Sequence, residues 1–253
     1  MQLKSDNVLI LPGWLDSGPG HWQSRWQAAH DYTRVAQHDW ARPLRGDWIA
    51  RLEDVVLAQN ADLPITLVAH SLGCLLVVAW AALSRNTHRV KCAFLAAPCD
   101  VTLEALRPVL TSWKPITPHL DAESTSQMRF VNALASASEK AVSQKTASRT
   151  PIARTPMPQT LPFKSLLLAS RTDPYCSFER ARALATDWGS DFVDCGACGH
   201  INAEAGLDDW PQGHELLLAL MRGEPAGTMR IEESRVERVN RVRGAAWESS
   251  APA

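Results

Sequence analysis

Short runs of aliphatic and β-branched residues alternate along this chain with stretches of helical period, and that alternation restricts it to a parallel sheet covered by helices on both faces. The apolar runs at 8–11, 33–37, 65–69, 90–96, 165–169 and 191–194 are the expected strands. Between them, Trp48, Leu52, Val55, Val56 and Gln59 fall on one helical face, and Trp22, Trp26 and Ala29 repeat at the same period. Ser177 reads as an N-cap, with Glu179 in the first turn and Ala181, Leu184 and Trp188 on the buried side. The expectation is one α/β domain over residues 1–222, a doubly wound, mostly parallel six-stranded sheet.

A chain of 253 residues, 45% hydrophobic and 21% charged, buries a sizeable core without disulfide or metal staples. Lys plus Arg number 26 and Asp plus Glu 27, so no electrostatic footprint for nucleic acid is present. The first seven residues carry an acid and no long apolar run, and no secretory or transit segment is expected. The apolar stretch 63–83 is interrupted by Pro64, His70, Ser71 and Gly73, which suits a buried strand turning into a buried helix better than a membrane span. The expectation is a soluble cytoplasmic protein with no membrane partner. Its six cysteines (74, 92, 99, 176, 195, 198) are then expected as reduced thiols.

Two segments break the rhythm. Residues 111–162 are dense in Pro, Ser and Thr, with one helical pattern at Phe130, Leu134, Ala137 and Ala141, and read as an insertion, either a lid or a loose surface loop. Residues 223–253 form a tail in which Arg230, Arg235, Arg238, Arg241 and Arg243 alternate with acids and valines, expected to be solvated or partly disordered. A protein partner, if one exists, would bind through either segment.

The third strand ends in Ala69-His70-Ser71-Leu72-Gly73, followed at once by the apolar helical run 74–80. This is the strand, nucleophile elbow, helix arrangement, with Ala69 in place of the first glycine of G-x-S-x-G. Small residues are needed two before and two after the serine because the tight turn brings strand and helix backbones together. A serine hydroxyl is a poor nucleophile near neutrality, so a base and a group to orient that base must follow. Asp173 comes after the fifth strand and His200 after the sixth, at the carboxyl ends of different strands, where open α/β sheets place their ligands. Developing oxyanion charge needs backbone donors. Leu72 at the helix start offers one N–H, and Trp14, in the Gly- and Pro-rich loop 11–20, is the candidate for the other. Trp14, His21 and Trp22, beside that loop, are candidate walls of a substrate pocket.

The motifs Ile10-Leu11-Pro12-Gly13-Trp14, His21-Trp22-Gln23, Ala69-His70-Ser71-Leu72-Gly73-Cys74, Ser170-Arg171-Thr172-Asp173-Pro174-Tyr175 and Gly199-His200-Ile201-Asn202 resemble those of the small serine hydrolases related to retinoblastoma-binding protein 9. The resemblance covers residues 1 to about 222 apart from the insertion, which is longer than that family leads one to expect. It implies a compact α/β-hydrolase fold, a Ser71, Asp173, His200 triad and an esterase-like activity of undefined substrate. The triad chemistry itself leads to the expectation of a small ester or amide substrate and no metal or organic cofactor.

Other readings of the same residues carry less. Asp100, after the fourth strand, competes with Asp173 for the acid role, but it can cap a helix beginning near Thr102. Cys195 and Cys198 form a C-x-x-C without the second ligand pair that a zinc site would want. His30, His38, His88, His119 and His214 have no motif around them and are expected on the surface or in loops, and His70 is expected to point away from the elbow. Two alternative functions stand beside hydrolysis: a hydrolase-fold protein acting as an interaction module, and acyl transfer to an acceptor other than water.

Overall fold

The computed structural model describes residues 7–113 and 160–224, which belong to one unit assembled from both sides of segment 115–158. Its elements in chain order are β1 (Asn7–Leu11), α1 (Trp22–His30), β2 (Thr33–Arg34), α2 (Arg45–Ala58), β3 (Ile65–His70), α3 (Leu72–Ala81), β4 (Val90–Ala96), β5 (Lys164–Ala169), α4 (Phe178–Trp188), β6 (Asp191–Asp194) and α5 (Pro211–Arg222). The six strands form one sheet in the order β2-β1-β3-β4-β5-β6, every neighbouring pair parallel. The chain leaves β1 toward one edge and returns on its other side as β3. The carboxyl ends of β1 and β3 therefore flank the topological switch point, where this class of sheet opens a crevice.

Both faces are covered. Leu9, Leu11, Leu67, Ala69, Leu95 and Leu167 point to one side, where they meet Trp48 and Leu52 of α2, Leu76 and Trp80 of α3, and Leu184 and Trp188 of α4. Their alternates Val8, Ile10, Val68, Phe94, Leu166 and Leu168 meet Trp22 and Trp26 of α1, Trp210, and Leu216, Leu217 and Leu220 of α5. The period of two is hidden in the sequence because both sets are apolar. Ser177 caps α4 by accepting from the Arg180 N–H at 3.2 Å, as its sequence predicts.

Several expectations change. The edge strand β2 is two residues, not five: after Val35 donates to the Ile10 carbonyl, Ala36 turns back onto the Arg34 carbonyl and pairing stops. Ala29 faces water because α1 ends at once, with Asp31 in the left-handed conformation. His214 is half-buried on α5, stacked on His30 with centroids 4.1 Å apart and hydrogen-bonded to the Tyr32 hydroxyl at 2.9 Å. The ends of the expected insertion belong to the body: Trp113 is buried against Trp48 and donates to the Pro43 carbonyl, and Leu161 is buried and donates its N–H to the Trp188 carbonyl. The helical pattern at Phe130–Ala141, His119 and most of the tail lie outside the described residues. Among the described residues no helix is long and apolar enough to cross a membrane.

Candidate active site

The tightest backbone in the sheet's switch region is at Ser71, where φ is 54° and ψ is −119° between β3 and α3. A non-glycine residue there is strained, and it persists because both flanks are fixed. The Ser71 N–H donates to the Ala96 carbonyl at 3.0 Å, and its carbonyl takes the first α3 bond from Cys74, also at 3.0 Å. The turn demands small neighbours. A Cβ on Gly73 would lie 2.3 Å from the Leu11 carbonyl oxygen, while Ala69 is wholly buried.

The elbow presents Oγ to His200 Nε2 at 2.9 Å, and His200 Nδ1 lies 2.9 Å from both oxygens of Asp173. A carboxylate only accepts, so Nδ1 carries the proton and Nε2 is free to receive the serine's. The His200 side chain is 9% exposed and that of Asp173 only 2%, so water scarcely competes for these bonds.

Two loops are laced together to hold this series. The Ser170 hydroxyl accepts from the Cys198 N–H at 2.9 Å, and the Thr172 hydroxyl accepts from the Gly199 N–H at 3.0 Å. The Tyr175 N–H donates to Asp173 Oδ1 at 2.8 Å. From beneath, the Trp22 indole donates to the Ile201 carbonyl at 2.8 Å, and His70 Nε2 donates to the His200 carbonyl at 2.9 Å. His70 thus points at the site rather than away from it. Trp22 is 1% exposed among Trp26, Phe94 and Trp210, so the expected pocket wall is a core side chain that anchors the histidine loop. His21 is also buried: it caps α1 by accepting from the Gln23 N–H, and its ring packs on His70 at 4.7 Å.

The loop after β1 passes directly over Ser71. A Cβ on Gly13 would lie 2.7 Å from Ser71 Cβ and 3.2 Å from its Oγ. Trp14 follows, half-buried, with its indole donating to the Ala41 carbonyl. Leu72 is the first residue of α3, so its N–H has no partner inside the helix. Gly13→Ala is expected to displace loop and serine together and lower kcat/KM roughly 10–100-fold, with a loss of stability of about 1–3 kcal/mol from the overlap. Wild-type kcat/KM in that variant would show that the close approach carries no function.

Asp100, the rival acid, is engaged elsewhere. Its Oδ1 accepts from both the N–H and the hydroxyl of Thr102, and Oδ2 lies 3.7 Å from Arg180. The helix expected near Thr102 is a single 3-10 turn, Glu104–Leu106. All six cysteines are buried and outside any disulfide, and Cys198 Sγ closes the C-x-x-C turn onto the Cys195 carbonyl. Burial pushes the Cys99 and Cys176 thiols up to about 12, leaving them protonated. Among the described residues no cluster of three or more His, Cys, Asp or Glu is placed to hold a metal ion.

Burial, with His200 and Arg34 adding to it, holds His21 down at about 3, and burial likewise pulls His70 well below its usual value. His214 is held at about 4 by partial burial and then by His30, but water screens it more. These imidazoles are neutral in the fold at pH 7, and the unfolded chain takes up protons below about 6.5. Stability is therefore present above that pH and lost as pH falls toward 3. His21 alone contributes a loss of about 2–3 kcal/mol at pH 4.5. The urea midpoint is expected to drop between pH 7 and 4.5, less steeply in His21→Gln; a flat profile would contradict the assignment.

The sheet order, the strained elbow at its switch point and the position of the three polar side chains define an α/β-hydrolase fold. The chain belongs to the serine hydrolase family, whose sequence profile matches residues 8–219. Among solved structures it is similar to a putative YdeN-like hydrolase from Pectobacterium atrosepticum, with 24% identity, 88% of this chain and 94% of that one covered, and a TM-score of 0.61. It is also similar to the ydeN gene product of Bacillus subtilis, with 16% identity, 86% and 99% covered, and a TM-score of 0.56. Carboxylesterase CesB of Bacillus subtilis follows with 17% identity, 88% and 86% covered, and a TM-score of 0.52. At these identities the likeness carries the fold alone. No curated protein matches the chain.

Proposed function

We propose that this protein is a carboxylesterase-like serine hydrolase that cleaves a small ester, or an amide, through an acyl-enzyme on Ser71. His200 Nε2 takes the Ser71 proton as Oγ attacks the carbonyl carbon, then delivers it to the leaving group. Asp173 keeps Nδ1 protonated and stabilises the imidazolium. The N–H groups of Leu72 and Trp14 receive the oxyanion. Water, activated by the same His200, hydrolyses the acyl-enzyme and frees the serine.

The observation that carries this reading is the series of 2.9 Å contacts from Ser71 through His200 to Asp173, nearly closed to water. The motifs that resemble the relatives of retinoblastoma-binding protein 9 and the fold likeness to a carboxylesterase support it. The test is a fluorophosphonate probe followed by peptide mass analysis. The adduct is expected on Ser71 and is expected to vanish in Ser71→Ala; equal labelling of both proteins would end the proposal.

A further inference from the structure

Both nitrogens of His200 are spent on Asp173 and Ser71, but two hydrogen bonds along one axis leave the imidazole free to tilt about that axis. What limits the tilt must touch the ring's carbons. On the interior side this is His70, with ring centroids 4.8 Å apart and planes at 59°. A second ring also bears on His200: that of Tyr175, with centroids 4.6 Å apart and planes at 64°. Tyr175 is itself 39% exposed, so its ring stands at the surface of the site while touching the enclosed His200.

The Tyr175 ring is delivered by a stiff segment. Its N–H is bound to Asp173 Oδ1 at 2.8 Å, and its carbonyl accepts from the Asp100 N–H at 2.8 Å. Pro174 before it has a fixed φ. The backbone that carries the ring is therefore set by the same few residues that set the carboxylate, and it cannot move away without breaking a bond to Asp173.

We infer that Tyr175 is a positioning residue for the base: its ring forms the outer wall that, with His70 inside, clamps the His200 imidazole in line with Ser71 and Asp173 and sheds water from it. The inference rests on the serine hydrolase reading above. The wall acts when the imidazole becomes cationic and must hold its proton for the leaving group, so its loss appears in turnover rather than in binding. The contact is made by the ring, so phenylalanine supplies the same wall and leucine does not. Aromatic contacts of this kind correspond to about 3–10-fold in rate.

The experiment uses the full chain and two probes, p-nitrophenyl acetate and p-nitrophenyl butyrate, with wild type, Tyr175→Phe, Tyr175→Leu and Ser71→Ala. Tyr175→Phe is expected within about twofold of wild type. Tyr175→Leu is expected to lose roughly 3–10-fold in kcat on both esters with KM within about twofold, and to label with fluorophosphonate more slowly by the same factor. Because the side chain is partly exposed, its thermal midpoint should barely move, and Tyr175→Met repeats the test if the leucine variant aggregates. Wild-type kcat in the leucine variant would overturn the inference. So would a rise in KM that depends on the ester with kcat unchanged, which would make the ring a substrate wall instead. If Ser71→Ala hydrolyses as fast as wild type, the functional reading itself fails; if Ser71→Ala is inactive and Tyr175→Leu is unimpaired, only the clamp fails.

Discussion

Ser71→Ala is expected to lower kcat for p-nitrophenyl butyrate by roughly 10⁴–10⁶-fold while the protein stays folded. The size follows from what is removed. Without Oγ no acyl-enzyme forms, and only binding and the backbone donors proposed at Trp14 and Leu72 remain to favour direct attack by water. Stability should change little, because alanine and serine both carry a Cβ and meet the same strain at φ 54°. The lost hydrogen bond to His200 is worth about 1 kcal/mol. Circular dichroism and a thermal midpoint within a few degrees of wild type would separate loss of chemistry from loss of fold. An alanine variant that keeps more than a few per cent of wild-type kcat would show that another group attacks the ester.

The sheet was legible in the sequence because strands buried on both faces read as nearly continuous apolar runs. Val90 to Ala96 is read with the bounds that the fold gives it, and the run read from Ser165 to Ala169 gains only Lys164. What failed was decided by neighbours rather than by pattern. The edge strand β2 has a partner on one side only, so the composition of the run 33–37 could not announce where pairing stops. His214 has no motif around it, and its half-buried place comes from His30 at the end of α1 and Tyr32 just beyond it.

For the site, chain order and placement at strand ends brought Ser71 and His200 into one hypothesis with either Asp173 or Asp100, the motif around Asp173 favoured that acid, and the fold brings Ser71, His200 and Asp173 within hydrogen-bonding distance. The supports were not legible. His70 holds the His200 carbonyl across 130 residues, and Trp22 holds Ile201 across 179. No spacing rule reaches that far, and a tryptophan at helical period looks the same whether it lines a pocket or anchors a loop. The hydroxyls of Ser170 and Thr172, alternating ahead of Asp173, were a nearer signal: their spacing lets both face the histidine loop.

Asp173→Asn is expected to cost about 10⁴-fold in kcat, and Asp100→Asn less than about threefold. Asparagine at 173 fits the same space and still accepts the Tyr175 N–H, so the loop should keep its path. It also offers an N–H toward His200 Nδ1, which then accepts, and the ring proton moves to Nε2. In that tautomer His200 cannot take the Ser71 proton, and the negative charge that would stabilise the imidazolium is gone. At position 100 the amide oxygen can still accept from Thr102, and only the 3.7 Å pairing with Arg180 is weakened. The comparison is therefore between two isosteric changes on adjacent strand ends, with the same loss of one charge, that differ only in which acid faces the base. Steady-state kinetics and fluorophosphonate labelling on both variants decide it. If Asp100→Asn were the one to lose orders of magnitude, the orienting acid would have to be reassigned to the strand before.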